Sequence, residues 1–184
     1  MIKKGIVLLI LSLSLFGCGE VDFSKLKYDE SKYYLVTTGK LFTGKAMEYY
    51  EKDKIKSVRN LKKGDLRKYI LYYENGNIQE KGDGGIWNLS DWEIKRYDEN
   101  GNIESVIMYK NGQKTGKSKF YYKSGKIKEE AEYICFIRNG KSVTYYENGN
   151  IESEKNYQDG LETGDVIYYN EDGSIKQRIK YWYS

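Results

Sequence analysis

The residue types that most often carry catalysis are scarce in this chain, which contains no histidine among its 184 residues. Ser-His-Asp and Cys-His catalytic arrangements and histidine-based zinc sites are therefore excluded. The chain has two cysteines, Cys18 after the N-terminal apolar segment and Cys135 in the second half of the chain. With Cys18 assigned to that segment, Cys135 alone cannot build a thiolate metal site. A glycosidase-like pair of carboxylates remains open, but Glu74, Glu99 and Glu147 recur in a repeated motif, which indicates a structural role. The sequence predicts no catalytic residue, no metal site and no cofactor.

Cys18 stands at the end of a segment, residues 1–17, that has the composition of an export signal. Lys3 and Lys4 give it a positive start, and the apolar run to Phe16 is too short for a membrane-spanning helix. The end of this run, Leu15-Phe16-Gly17-Cys18, resembles the lipobox of bacterial lipoprotein signal peptides. The resemblance implies cleavage before Cys18, a diacylglycerol-modified N-terminus, and a protein exported to the cell envelope and lipid-anchored to a bacterial membrane. An ordinary export signal, in which Cys18 is incidental, is the alternative.

Aromatic side chains are the remaining candidates for ligand contact, because tyrosine alone accounts for 20 residues. A tyrosine doublet in a strand places one ring on each face, so half of these rings cannot belong to one buried stripe. Tyrosine also offers a large contact area with a polar tip, which suits an interface. The candidate binding face comprises Tyr72, Tyr121, Tyr145, Tyr168, Trp87 and Trp92. The structural alternative is that the tyrosines pack under lysine stems and that the two tryptophans fill a gap in an irregular segment at 79–92.

These tyrosines belong to a motif, Tyr-Tyr-x-x-Gly-x-Ile, that recurs through most of the chain. Its isoleucines stand at positions 55, 78, 103, 127, 151 and 175, in steps of 23, 25, 24, 24 and 24 residues. A period held this closely indicates an array of one supersecondary unit. Stability then comes from stacking of neighbouring units rather than from a single large core.

The repeated unit has the sequence pattern of a β-hairpin. Asn-Gly between two runs of aromatic and β-branched residues favours a two-residue type I′ loop. Asn148-Gly149 is expected to form such a loop and to place Tyr146 opposite Ile151; Asn75-Gly76 is expected to do the same. The copies at 97–103 and 169–175 are expected to carry one extra residue, absorbed in a three-residue loop with a glycine bulge.

The strand after each isoleucine supports this pattern, because position six lies on the same face as the isoleucine. The residues there are Leu61, Tyr109, Tyr133, Tyr157 and Tyr181, with Gly84 as the exception. These residues predict a buried stripe. Cys135 lies among large apolar neighbours and is expected to be a buried thiol.

The boundaries of the tether and of the repeat domain follow from composition. Residues 18–32 are expected to be a lipidated tether, and residues 33–184 the repeat domain. Loss of residues 1–17 removes two lysines and lowers the formal net charge from +4 to +2. A charge this small gives no reason to expect a nucleic-acid partner.

The unit Gly-x-x-x-Gly, short strand, Tyr-Tyr-x-x-Gly-x-Ile resembles the MORN-repeat variant of bacterial proteins often described as antitoxin-like. Residues 160–175, Gly-Leu-Glu-Thr-Gly-Asp-Val-Ile-Tyr-Tyr-Asn-Glu-Asp-Gly-Ser-Ile, carry the clearest match. The resemblance implies an all-β fold: an elongated, single-layer antiparallel sheet of tandem hairpins, here following the N-terminal signal helix. It also implies contact with proteins or lipids, and it brings no catalytic residue.

Together these features predict a non-enzymatic, membrane-anchored bacterial lipoprotein. Its predicted role is a protein-interaction scaffold for an unknown envelope or surface protein, through a tyrosine-rich repeat sheet. Two alternatives remain: an immunity or antitoxin-like protein that neutralises a toxin, and a module that binds a carbohydrate or lipid surface.

Overall fold

A computed structural model of the chain describes residues 18–84 and 91–181, which form β-strands joined by tight turns. The signal segment 1–17, with its expected helix, lies outside the described residues, as do Trp87 and residues 182–184. In the described part, the helical elements are two short 3₁₀ turns, Phe23–Lys25 and Glu51–Asp53. None of its helices has the length and hydropathy needed to cross a membrane.

The described residues form sixteen strands of two to nine residues. They are β1 (Cys18–Asp22), β2 (Leu26–Asp29), β3 (Lys32–Leu35), β4 (Thr43–Tyr49), β5 (Ile55–Lys62), β6 (Asp65–Tyr72), β7 (Ile78–Gly84), β8 (Asp91–Tyr97), β9 (Ile103–Lys110), β10 (Gln113–Lys114), β11 (Gly116–Tyr121), β12 (Ile127–Ile134), β13 (Ile137–Tyr145), β14 (Ile151–Gln158), β15 (Leu161–Tyr169) and β16 (Ile175–Tyr181).

One long sheet contains fourteen of these strands. Its order is β1-β4-β5-β6-β7-β8-β9-β11-β12-β13-β14-β15-β16, with β10 paired to β9. All neighbours are antiparallel except β1 and β4, which run parallel. The predicted sheet of consecutive antiparallel hairpins is confirmed.

The hairpin turns at Asn75-Gly76 and Asn148-Gly149 differ in type from the prediction. In the fifth hairpin the Tyr146 N–H donates to the Asn150 carbonyl and the Gly149 N–H donates to the Tyr146 carbonyl, both at 2.9 Å. These bonds close a three-residue loop with Gly149 at positive φ. A bulge follows in the strand, between the pairs Tyr145–Ile151 and Thr144–Ser153. Asn148 therefore occupies the second loop position, where its side-chain oxygen accepts from the Asn150 N–H at 2.8 Å. The predicted two-residue loop was wrong, and so was the predicted register.

All six hairpins use this loop, with a tyrosine as the last paired residue before it. The pairs across the loop are Tyr49–Ile55, Tyr72–Ile78, Tyr97–Ile103, Tyr121–Ile127, Tyr145–Ile151 and Tyr169–Ile175. The three-residue loops expected at 97–103 and 169–175 are therefore confirmed, but these copies carry no extra residue relative to the others. In the first hairpin Asp53 takes the place of the glycine, with φ of 62°.

Two-residue turns with positive φ at both positions occur at the opposite ends of the strands. They are Glu30-Ser31, Lys63-Gly64, Asn111-Gly112, Cys135-Phe136 and Asp159-Gly160. A type I′ turn requires this backbone conformation. Cys135 thus lies at a turn and is exposed, which corrects the expected buried thiol. Its Sγ donates to the Gln113 side-chain oxygen at 3.0 Å.

The segment 18–32, expected to be a tether, is folded. β1 adds to the open edge of β4 through five residue pairs, from Cys18–Thr43 to Asp22–Met47. The β2–β3 hairpin then packs over the first strands of the long sheet. The core beneath it consists of Phe42, Ala46, Leu61, Leu66 and Trp92, with Val21, Phe23, Leu26, Tyr33, Leu35, Tyr69 and Tyr109 packed against it. We call β2 and β3 the N-terminal cover.

Candidate functional site

The long sheet presents two different faces, because successive side chains of a strand point to opposite sides. One face, here the serine face, carries five buried serines: Ser57, Ser105, Ser118, Ser142 and Ser153. The other, here the lysine face, carries Lys81, Lys95, Lys119 and Lys141 at the intervening positions. The N-terminal cover lies on the serine face, since Leu61 and Trp92 of its core belong to that face.

The predicted tyrosines do not share one face. Tyr72, Tyr121 and Tyr145 occupy equivalent positions on the lysine face, each following a strand residue of the serine face. Tyr168 lies on the serine face, where the Lys155 Nζ stands 5.2 Å from its ring centroid. On the lysine face of the sixth hairpin, Tyr169 occupies the position that corresponds to Tyr72, Tyr121 and Tyr145. Its hydroxyl donates to the Glu154 carboxylate at 3.0 Å. The doublet at 168–169 is therefore offset by one residue from the others.

Trp92 fills the gap left by the missing tyrosine of the second hairpin. It is 7% exposed, and its ring centroid lies 6.1 Å from that of Tyr69. A Cβ at Gly84, the paired residue on β7, would lie 2.6 Å from Trp92 Cδ2. The glycine is thus the residue that admits the indole ring.

In the doublets at 49–50, 72–73, 121–122 and 145–146, the second tyrosine links one hairpin to the next, a role that the sequence did not reveal. Its hydroxyl donates to the backbone carbonyl of the tyrosine that pairs with the isoleucine of the following hairpin. The bonds are Tyr50–Tyr72 at 2.8 Å, Tyr73–Tyr97 at 2.9 Å, Tyr122–Tyr145 at 2.6 Å and Tyr146–Tyr169 at 2.7 Å. Asp98 stands at the equivalent position of the third hairpin, where it accepts from the Asn100 and Asn102 N–H groups instead. The spacing of the doublets by one period was the signal for this role.

Tyr146→Phe is expected to destabilise the contact between the fifth and sixth hairpins by about 1 kcal/mol. The substitution removes the hydroxyl and leaves the partly buried Tyr169 carbonyl without that donor. Hydrogen exchange of the amides in β15 and β16 would measure the loss. Tyr145→Phe is the matched control, because the Tyr145 hydroxyl makes no hydrogen bond to a described residue; equal effects of the two substitutions would contradict the assignment.

Ion pairs and aromatic rings alternate along the serine face beyond the N-terminal cover. Three ion pairs of this face, in the described strands, have a nitrogen–oxygen distance of 2.6 Å. They are Arg96–Glu80, Arg138–Glu129 and Lys155–Glu162. Arg138 also lies between two rings, 5.9 Å from the Tyr133 centroid and 5.3 Å from the Tyr157 centroid. The cleft above this part of the face has a volume of about 300 Å³ and includes Ser142 and Tyr168 in its lining.

Lys114 differs from the other cations of this face. Its Nζ lies 3.2 Å from the Tyr133 ring centroid and 5.0 Å from that of Phe120. No carboxylate of residues 18–84 and 91–181 lies within 4.0 Å of it. Burial, and secondarily the charge of Arg138, lowers the pKa of Lys114 from 10.5 to about 8. Lys114 is therefore a partly buried cation held against rings without a counter-ion.

Lys114→Met is expected to stabilise the protein at pH 7, by at most about 1 kcal/mol since solvent screens this partly exposed charge. The pKa of Lys114 is about 8 in the folded state and near 10.5 when unfolded. Between these values the unfolded wild type binds more protons, so wild-type stability rises with pH. The gain from the substitution should be complete below pH 8 and vanish near pH 10.5.

Denaturant unfolding of both proteins at pH 7, 8, 9 and 10.5 would measure this trend. Lys117→Met is the matched control, because Lys117 is on the lysine face and its side chain is 55% exposed. A gain that stays constant over this pH range would contradict the lowered pKa of Lys114.

The described residues show no cluster of three or more metal-ligating side chains. What the serine face offers chemically is a series of rings and cations, suited to contact rather than to bond cleavage.

Comparison with known proteins identifies the family to which this chain belongs. A similar solved structure is the crystal structure of the GtfA/B complex bound to UDP and GlcNAc, with a TM-score of 0.28 and 15% sequence identity. The match covers 68% of this chain and 22% of that chain, so the present chain spans about a fifth of its length. The search of curated proteins gave no match. A family model, the MORN repeat variant, matches residues 68–83, 93–111, 114–134, 138–159 and 162–183. These matches cover most of hairpins two to six, and the chain belongs to the MORN repeat variant family.

Proposed function

We propose that the chain is a non-catalytic scaffold of the bacterial cell envelope, anchored by lipid, that binds another envelope or surface protein through its serine face. Repeats of this family are typical of proteins that bind membranes or other proteins. The observation that carries the proposal is the change in this face from one end of the sheet to the other.

The change is clearest at three residues whose backbone carbonyls accept hydrogen bonds in the same way. The carbonyls of Phe42, Lys114 and Arg138 accept from the Gly64, Phe136 and Gly160 N–H groups at 2.7, 2.9 and 2.9 Å. These three residues are therefore equivalent. Phe42 is apolar, 2% exposed and part of the covered core, whereas Lys114 and Arg138 are charged and lie between rings.

The apolar end of the face is thus occupied by the chain's own N-terminal cover. No described residue covers the charged and aromatic end. Arginine and tyrosine are the residues most enriched at the energetic centres of protein interfaces. A repeat sheet also presents them at a regular spacing on a rigid support, which lowers the entropy lost on binding. These properties favour a protein partner.

Affinity capture from native membranes with the full chain tests the proposal. Arg138→Gln should weaken capture of a specific partner at least tenfold, because Arg138 is the central cation of the uncovered region. Arg178→Gln is the matched control on the lysine face and should leave capture unchanged. Equal capture by both variants would contradict the use of the serine face. The identity of the partner would decide whether the chain neutralises a toxin.

The lipid anchor is a separate part of the proposal. It is supported by the positively charged start, the short apolar run and the Leu15-Phe16-Gly17-Cys18 motif. Cys18→Ala should abolish incorporation of labelled palmitate and release the chain from membranes. Unchanged membrane retention without labelling would contradict lipid anchoring.

A further inference from the structure

Lys114 is an exception to the pairing of charges on the serine face. Arg96, Arg138 and Lys155 each have a carboxylate within 2.6 Å. Lys114 faces rings on two strands, Phe120 of β11 and Tyr133 of β12. A partly buried cation that lacks a carboxylate is costly to maintain, and an incoming anion would offset that cost.

The charged groups around Lys114 also favour binding of an anion at this site. Arg138 of β13 and Arg96 of β8 both repel its charge, and Glu129 of β12 attracts it. Glu129 is already engaged, because its Oε1 accepts from Arg138 at 2.6 Å and from the Ser142 hydroxyl at 3.2 Å. The local balance therefore favours one additional negative charge.

An apolar pocket adjoins Lys114 on the same face. It has a volume of about 210 Å³ and is lined by Tyr69, Trp92, Ile94, Tyr109 and Gly112. Tyr109 of this lining is the residue that pairs directly with Lys114 across the ladder. The pocket is smaller than the roughly 300–1,000 Å³ that drug-sized ligands occupy. It therefore has room for about one large apolar side chain.

We propose that Lys114 and this pocket bind an acidic segment of a partner protein, with a carboxylate on Lys114 and an adjacent apolar side chain between Trp92 and Tyr109. That the acidic segment belongs to a partner protein rests on the proposed function. A carboxylate matches the single unpaired charge, and the apolar side chain matches the lining of the pocket. The Lys114 ammonium lies over the rings of Tyr133 and Phe120, and these cation–π contacts do not neutralise its charge.

The proposed contact depends on pH in a defined direction. The carboxylate must be ionised, which holds above about pH 4.5, and Lys114 must be protonated, which holds below its pKa of about 8. Binding should thus be strongest between pH 5.5 and about 7 and should weaken as the pH rises through 8.

A small probe tests the chemistry without a known partner. Titration of the full chain with 3-phenylpropionate supplies a carboxylate and a ring, and 3-phenylpropanamide is the neutral control. The carboxylate should bind at least tenfold more tightly than the amide at pH 6.5, and tenfold less tightly at pH 9.5 than at pH 6.5. Lys114→Met should abolish this preference, whereas Lys117→Met should retain it.

Three results would overturn the inference: equal affinity for acid and amide, unchanged binding after Lys114→Met, or equally tight binding of inorganic phosphate. Because Lys114→Met is expected to stabilise the fold, loss of binding in that variant is separable from misfolding. If affinity capture finds a partner whose binding Lys114→Met leaves intact and the probe shows no preference, this inference alone fails. If no partner is captured while the probe binds as expected, the proposed function fails and the carboxylate site stands.

Discussion

Trp92→Ala is expected to destabilise the N-terminal part of the sheet by about 3–5 kcal/mol. The indole is 7% exposed and belongs to the core under the N-terminal cover. Removing it leaves a cavity over Gly84, a residue with no side chain that could move into the space. Denaturant unfolding would measure the total loss, and hydrogen exchange of β6 to β9 would locate it.

Phe136→Ala is the control for the loss of an aromatic ring. The Phe136 side chain is 57% exposed and makes one edge contact with Tyr109, at 6.3 Å between ring centroids. Its replacement should cost less than about 1 kcal/mol. A loss for Trp92→Ala no larger than this would contradict its role as the residue that fills the gap in the second hairpin.

Gly44→Ala is expected to detach β1 and to cost about 2–5 kcal/mol, from overpacking and from backbone strain. A Cβ at Gly44 would overlap the Gly19 carbonyl oxygen and lie 2.8 Å from both the Gly19 nitrogen and Phe42 Cζ. Backbone atoms cannot rotate away as side chains can. The φ of Gly44, 148°, is also one that residues with a Cβ rarely adopt.

Hydrogen exchange of the β1 amides would measure this change, since they should lose protection before the rest of the sheet. Gly149→Ala is the matched control, because its φ is 99° but a methyl group there would meet no heavy atom of another described segment within 4 Å. It reports the cost of positive φ without the steric clash. Equal destabilisation by the two substitutions would show that the contact with Gly19 is unimportant.

The sequence predicted the repeated hairpin and the antiparallel order because both follow from patterns within a single period. It did not predict the register of the hairpins at Asn75-Gly76 and Asn148-Gly149, because Asn-Gly is compatible with two kinds of loop. In a type I′ loop Asn148 would be the first of two loop residues; in the observed loop it is the second of three. The difference moves the cross-strand partner of Ile151 from Tyr146 to Tyr145.

That one-residue shift explains most of the differences at the candidate site. It moves Tyr72, Tyr121 and Tyr145 into the row of Tyr169 and leaves Tyr168 on the opposite, serine face. It also brings the second tyrosine of the other doublets within hydrogen-bond reach of the neighbouring hairpin. Comparing the doublet at 168–169 with the single tyrosine at 97 would have exposed the offset.

Lys114 could not be identified from sequence, because its environment is assembled from rings on different strands. The same limit applies to the N-terminal cover. Residues 18–32 contain no copy of the repeat, so nothing in the period indicates that they pack. Their apolar residues Val21, Phe23 and Leu26 pack against the core, but they follow no regular spacing that would predict this.

The order of the strands determines how far the last strand of the sheet lies from the first. The main path of the sheet runs through thirteen strands from β1, which begins at the proposed anchor residue, to β16. With about 4.8 Å between neighbours, the last strand stands about 58 Å from the first, and each further hairpin adds about 10 Å. The number of repeats would therefore act as a ruler, setting how far from the lipid bilayer the chain can reach a target.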